Sequence, residues 1–315
     1  MSLTYKFCYC LWRLKWLPSG LLRTLFKCMV RSGKAPDFAF TKAFFGISYS
    51  GNLSNNIDFA IYYYGAFEKP LLYFLRDTMN SLSPAQPVFV DVGANIGQHS
   101  VFMAAHGSKV HSFEPFASVR SRLQLQIDTN SLSNVSVHPV GLSNETGRLP
   151  FYAPTGSNIG IGSFDDSTIS KGNVSVGELD LVSGDEYFTS HKIDCIDVIK
   201  IDVEGFEKKV LQGLHGTLEK TRPVIVCEIT YGGPLSFRSV EDLLGILPAD
   251  YALLTFDKRK SNGKTARRRD RGSRLTGHYR VIPYTSMLSI GQDNVIACPL
   301  EKMNLLPMSL VPIRQ

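Results

Sequence analysis

Carboxylates at the ends of apolar runs are the residues of this 315-residue sequence whose types and spacing permit chemistry. In VFVDVGANIGQHS (88–100), Val88, Phe89, Val90 and Val92 flank Asp91 in a run that reads as a buried parallel strand. Gly93 ends the run and Gly97 follows where a helix can start, an arrangement that brings backbone N–H groups close to a ligand. Glu114 lies 21 residues beyond Gly93, at the end of a second apolar run. A carboxylate there accepts hydrogen bonds from the two ribose hydroxyls of a nucleoside. The G-x-G-x-x-G of a dinucleotide fold is incomplete, because Ala94 and Asn95 follow Gly93. A pyrophosphate needs that close backbone approach and a nucleoside with an amino-acid tail does not, so the loop favours S-adenosylmethionine over NAD.

A second group of acids follows. Asp202 ends the apolar run IDVIKIDV (196–203), Glu204 and Glu207 lie in the next turn, and Glu228 interrupts VIVCEIT (224–230). A buried carboxylate is costly unless paired or functional. Strand positions place Glu228 near Asp202 and Glu204, so the three can form a base-and-orienter cluster or, less in keeping with the sequence, hold a divalent ion through oxygen ligands. No metal is expected. Glu207 reads as a helix N-terminal charge favoured by the macrodipole. His99 follows the glycine loop, where it either touches donor or acceptor or serves structurally.

These residues need a scaffold, and the pattern from residue 88 supplies one. Strands are predicted at 88–93, 109–113, 135–140, 196–203, 224–230, 251–256 and 294–299, with helices over 97–105, 116–128, 206–220 and 240–247. This is a Rossmann-like α/β fold, a mostly parallel seven-stranded sheet flanked by helices with a late hairpin. Residues 144–182, with Gly156, Gly160 and Gly162, suit a hairpin or loop insertion over the site. Residues 44–75 are aromatic-rich and suit core packing, or a cover over a ligand cleft with Gly65 and Glu68 at a turn. Two domains are expected: 1–80, basic amphipathic helices with the aromatic cover, and 81–315, the sheet domain with insertions at 144–182 and 258–280.

The net charge of +6 is unevenly spread. Residues 1–36 carry seven Lys/Arg and no acid, and residues 258–280 carry ten against Asp270, which leaves −10 for the rest of the chain. An acidic body with two basic attachments argues for localised contact with an anionic surface, or for two solvated segments. The first 33 residues contain Trp12 and Trp16 and have the make-up of interface-seeking helices or of a helical cap. They hold no apolar run of the roughly 20 residues that span a bilayer. Six cysteines without a CxxC pair suit reduced thiols, and the sequons at Asn52, Asn134, Asn144 and Asn173 read as chance, since no cleavable signal peptide is evident.

DVGANIG (91–97), FEP (113–115), GLS (141–143) and above all IKIDVEGFE (199–207) resemble the FkbM family of methyltransferases, a branch of the class I S-adenosylmethionine-dependent fold. YYYGAFE (62–68) is similar to that family's upstream G-x-[FY]-E element, and the resemblance covers roughly residues 50–300. It implies O-methylation of a hydroxyl on a sugar, a glycan or a polyketide-type natural product. By position it implies Asp91, Gly93, Asn95 and Gly97 around the methionine part of the donor and Glu114 at the ribose; His99 and Glu68 are counted with the donor-binding residues. Gly141 and Leu142 fall at the adenine edge, and Asp202 lies beside the sulfonium. The expected catalytic carboxylates are Asp202 and Glu204, with Glu228 added from its place within an apolar strand.

Nucleic acid is not an expected partner. The segment 258–274 lacks interleaved aromatics, and neither an Asn/Asp-Pro-Pro-Tyr nor a Pro-Cys motif occurs. The expected setting is the cytoplasm, with peripheral contact to the inner membrane surface through 1–33 and 258–280. The alternative from another class is a catalytically idle S-adenosylmethionine-binding or membrane-tethering module.

Overall fold

A computed structural model describes residues 3–14, 16–32, 35–154, 162–164, 166–233, 235–259, 266–289 and 291–310. The chain divides into two units, Met1–Phe67 and Glu68–Gln315.

The first unit contains α1 (Leu3–Trp12), α2 (Ser19–Arg31), the hairpin β1 (Ala39–Phe44) and β2 (Ile47–Asn52), and α3 (Asn56–Tyr64). Pro18 separates the two basic helices and Asn55 caps α3, its Oδ1 accepting the N–H groups of Ile57 and Asp58. Aromatic rings make its core: Trp12 packs on Phe26 and Phe38, Phe26 on Phe59, and the Trp12 indole N–H donates to Tyr63 Oη at 2.7 Å. Asp58, fully buried, accepts from Tyr49 Oη and from the Asn52 N–H. The aromatic wealth of 44–64 is thus packing, the plainer of its two expected uses.

The second unit begins with α4 (Lys69–Leu82), so the boundary lies at 67–68 rather than at 80. The reason is local: Phe74 of α4 packs edge-on against Phe256 and Tyr279, and Tyr279 Oη donates to Asp77. Then come β3 (Val88–Val92), α5 (Gln98–Ala105), β4 (Lys109–Phe113), α6 (Ala117–Asn130) and β5 (Val135–His138), the expected βαβαβ. After an excursion the alternation resumes with α7 (Gly184–Ser190), β9 (Val198–Ile201), α8 (Glu207–Gly213), α9 (His215–Thr221), β10 (Val224–Tyr231), α10 (Val240–Leu244) and β11 (Tyr251–Phe256). It closes with α11 (Arg267–Thr276), β12 (Val281–Pro283) and β13 (Gly291–Pro299).

The sheet order is β5-β4-β3-β9-β10-β13-β11-β12. β5 to β10 run parallel, and β13 inserts antiparallel between β10 and β11. The seven strands expected are present and an eighth, β12, is added: three residues that pair Val281 with Phe256 at the edge. The single helix expected over 206–220 is two, meeting at Leu214.

The excursion is a second, three-stranded sheet, β6 (Gly141–Ser143), β8 (Asn173–Ser183) and β7 (Gly147–Pro154), with β7 and β8 antiparallel. It is the hairpin expected in 144–182; Gly156 and Gly160 lie outside the described residues. Its base is clamped to α8, because Gly213 lies so close to β6 that a Cβ on it would sit 1.8 Å from the Ser143 carbonyl oxygen. Both partners are backbone and cannot yield cheaply. Gly213→Ala is therefore expected to lower stability by about 2 kcal/mol or more, read as a fall in the urea midpoint.

Candidate active site

Parallel strands present their carboxyl ends along one edge, and β3, β4 and β9 converge there. Gly93 follows β3 with φ +76°, and a Cβ on it would fall 1.9 Å from the Asp202 carbonyl oxygen, so only glycine admits this approach of the loops after β3 and β9. Asn95, with φ +53°, turns the chain toward α5 and donates its N–H to Glu114 Oε2 at 2.9 Å. Glu114, at the end of β4, accepts the Phe116 N–H on its other oxygen. Burial is the main force on its carboxyl, and despite these two donors it is pushed up to about 7.

Gly93, Asn95, Glu114, Asp202 and Glu204 form the polar side of a cleft of about 540 Å³, its open mouth included. The apolar side is Pro115, Phe116, Val119, Phe151 and Phe164. Phe151 comes from β7 and Phe164 from the segment between β7 and β8, so the hairpin walls the cleft.

Below the cleft the sheet holds a buried charge pair. Lys200 on β9 is opposite Asp91 on β3 in the parallel register, and its Nζ lies 3.3 Å from Asp91 Oδ1 and 3.4 Å from Asp202 Oδ2. Burial alone would lower this ammonium, but Asp91, Asp202 and Glu68 outweigh it and its pKa is raised. Asp91 also accepts from Ser100 Oγ at 2.7 Å, and Ser112 Oγ donates to Ser100 Oγ in turn. His99 is buried beside this network, and its Nε2 has no hydrogen-bond partner among the described residues. Burial, then the nearby Lys200, hold its imidazole well below the ordinary value and so neutral.

One oxygen each of Asp202, Glu204 and Glu228 lies within 4.8 Å of the others, a spacing that a hard divalent cation can bridge. Glu204 stands at φ +52°, a conformation costly for a side-chain-bearing residue, and accepts from Gln292 Nε2. Glu228 is raised to about 10, by burial first and then by Asp202, Glu68 and Glu204. Crowded carboxylates cannot all ionise, and Glu228 retains the proton. Glu207, tucked under the turn and accepting the Gly205 N–H, is raised to about 8, again chiefly by burial. It stands at the start of α8 as expected, but buried rather than solvated.

The structure thus brings Gly93, Asn95, Glu114, Asp202 and Glu204 to one cleft, with Glu228 against the last two. The other residues expected at the donor have the following surroundings. Asp91 is fully buried under the loop, consumed by Lys200 and Ser100. Gly97 packs on Leu123 of α6. Gly141 packs on Leu181, close to Pro115 of the cleft wall, and Leu142 belongs to the hydrophobic core. Glu68 stands with the carboxylate cluster, accepting from Asn294 Nδ2 at 3.3 Å, and His99 lies beneath the cleft. Lys200 and the three phenylalanines are the residues that sequence reading passed over. A lysine inside VIKI carries the same signal that singled out Glu228, a charge in an apolar strand; nothing in the sequence marked the phenylalanines.

The strand order, with the antiparallel strand inserted second from the end of the seven, is that of the class I methyltransferases. The sequence profile of the methyltransferase FkbM domain matches residues 91–254, more than half of the chain, and the chain belongs to that family. Among its relatives, the hexuronic acid methyltransferase AglP of Haloferax volcanii is 32% identical over 140 residues, 44% of this chain and 54% of that protein. The chain therefore matches about half the length of AglP. The 2-O-methyltransferase NoeI of Sinorhizobium fredii is 25% identical over 186 residues, 54% of this chain and 75% of that protein. A solved structure of a methyltransferase FkbM from Methylobacillus flagellatus superimposes with a TM-score of 0.39 at 19% identity, covering 67% of this chain and 43% of its own.

The buried Glu228 generates a test in pH. Its carboxyl stands at 4.5 ordinarily and about 10 in the fold, so the native state holds a proton that the unfolded chain releases. Its contribution to stability is complete below the lower value and is lost as pH rises toward the upper one. Glu228→Gln, which mimics the protonated acid, should match the wild type near pH 4. Above about pH 5 it should gain, reaching roughly 3 kcal/mol at pH 7. Melting curves across that range measure the difference, and parallel curves would refute the assignment.

Proposed function

We propose that the chain transfers a methyl group from S-adenosylmethionine to a hydroxyl of a sugar or glycan. The observation that carries this reading is the cleft itself, in which a glycine loop backed by Glu114 faces Asp202 and Glu204 across a few residues. The fit to the donor rests on three features. The Gly93 approach leaves no room for a side chain, as a loop meeting a ligand through its backbone requires. Each Glu114 oxygen has a second lone pair beyond the N–H it already accepts, enough for two ribose hydroxyls. The apolar wall of Phe116, Phe151 and Phe164, with its rings inclined to one another, offers an adenine aromatic contacts.

When bound, the donor supplies an electrophilic methyl carbon on a positively charged sulfur. The chain's own residues then have two tasks. Gly93, Asn95 and Glu114 hold the donor, and the phenylalanine wall excludes water from one side. The carboxylate cluster removes the acceptor's proton: a neutral hydroxyl is a poor nucleophile, and transfer of its proton to Glu204 as the new O–C bond forms balances the charge. Asp202, anchored by Lys200, and the protonated Glu228 fix the position of Glu204 and limit how much negative charge the group carries. Support for a saccharide acceptor comes from the relatives, whose names specify a hexuronic acid and a 2-O position. The competing reading, a binding module without turnover, keeps the donor cleft but has no need of the left-handed Glu204.

Calorimetry and a methyl-transfer assay on uronic acid-containing oligosaccharides separate these readings. Glu114→Ala should weaken donor binding by roughly a hundredfold, the loss of charge-assisted hydrogen bonds. Glu204→Gln should bind the donor as the wild type does and lose about 10²-fold or more in turnover. Donor binding without a mass gain of one methylene on any saccharide would favour the idle module. No binding at all would end the proposal.

A further inference from the structure

The unit built from residues 1–67 has a feature that methyl transfer does not use. Helix α1 is apolar on two opposite faces. Tyr5, Cys8 and Trp12 are buried on one, meeting the aromatic core described above. Leu3, Phe7 and Cys10 recur at helical spacing on the other, and Leu14 continues their line just past the helix end. This second face is bare: Leu3 is 86% and Phe7 66% exposed. Trp16 follows at 79%, and Leu21 at the start of α2 at 45%. An exposed tryptophan shortly after an exposed Leu/Phe stripe adds to a large apolar area left in water.

The charge beside the stripe selects what covers it. Lys6 and Arg13 are exposed on α1 along one flank of the stripe, and Lys27 and Arg31 are exposed on α2. No acidic residue occurs in the first 36 positions, while the chain outside its two basic segments is acidic. A protein partner would have to match both an apolar ridge and an unbroken basic border. A bilayer with anionic headgroups offers both at once, since acyl chains take Leu3, Phe7 and Leu14, headgroup phosphates take the lysines and arginines, and Trp16 sits at the boundary.

We infer that α1 and the turn after it form a membrane-surface anchor, lying in the plane of an anionic leaflet with Leu3, Phe7, Leu14 and Trp16 inserted and Lys6 and Arg13 at headgroup level. No described helix is long and apolar enough to cross a bilayer, so the contact is one-sided. The basic segment 258–280 is the weaker candidate. Residues 260–265 lie outside the described residues, and the described part spends charge internally: Arg259 on Asp293, Arg274 on Asp270 and Arg280 on Asp257.

The test is flotation of the full chain with vesicles of neutral phosphatidylcholine and of phosphatidylcholine mixed with phosphatidylserine, at low and high salt. The wild type should float with the anionic vesicles at low salt only. Phe7→Glu and Trp16→Glu should each abolish flotation, and Lys6→Glu combined with Arg13→Glu should reduce it by at least roughly fivefold per basic residue. All these side chains are exposed, so circular dichroism and donor binding should be unchanged. Flotation of both apolar variants at the wild-type level would overturn the inference. So would a wild-type self-association, seen by light scattering and dispersed by Phe7→Glu, in a protein that ignores vesicles; the stripe would then be a contact between copies.

Discussion

The ion pair between Lys200 and Asp91 is the constraint from which the site follows. An ammonium that is 3% exposed needs compensation, and the parallel register of β3 and β9 supplies it by placing Asp91 directly opposite. Asp91 then extends the tie to α5 through Ser100 and to β4 through Ser112. One cation therefore ties two neighbouring strands and, through the serines, a third strand and a helix, all beneath the glycine loop. With these fixed, Gly93 can lie against the Asp202 carbonyl, and Asn95 can reach Glu114. Removing the lysine would leave a fully buried carboxylate alone, a far larger loss than that of a surface charge.

The same cation is outnumbered. Asp91, Asp202, Glu204, Glu228 and Glu68 lie around it, and the excess is settled by protonation rather than by further cations among the described residues. Glu228, raised to about 10, and Glu207, raised to about 8, record that settlement. A place where carboxylates are held against their preference is one where a positive ligand relieves the repulsion. A cationic ligand is favoured there by the same electrostatics that make the cluster destabilising at high pH.

Much of the fold could be read from the amino-acid pattern. β4 and β11 match their expected bounds, and β3, β10 and β13 differ by only a few residues, because long apolar runs broken by Gly or Pro leave few alternatives. Glu114 was legible from its distance to Gly93, and Asp202, Glu204 and Glu228 from acids placed in or after apolar strands. Asp91 was legible as important but not as buried: a strand residue's neighbours depend on which strands adjoin it, and the opposition to Lys200 is set by sheet order. The surroundings of Gly141 and Leu142 were hidden for a related reason. They leave the main sheet and pair with β8, 40 residues further on, a partnership that no local periodicity encodes. The phenylalanines of the cleft wall come from three separate segments, so their convergence exists only in three dimensions.

The clamp between Gly213 and Ser143 gives the hairpin β7–β8 a fixed root. Backbone contact at the root transmits the position of α8, and hence of the turn bearing Glu204, to the base of the small sheet. Ser163, beyond β7, closes the loop by donating to the Glu204 carbonyl at 2.9 Å. The hairpin behaves as a graft with two sutures, both to the segment that bears the acidic turn. In such a layout the half that holds a common ligand and the half that meets a variable one can drift at different rates, and the sutures mark the line between them.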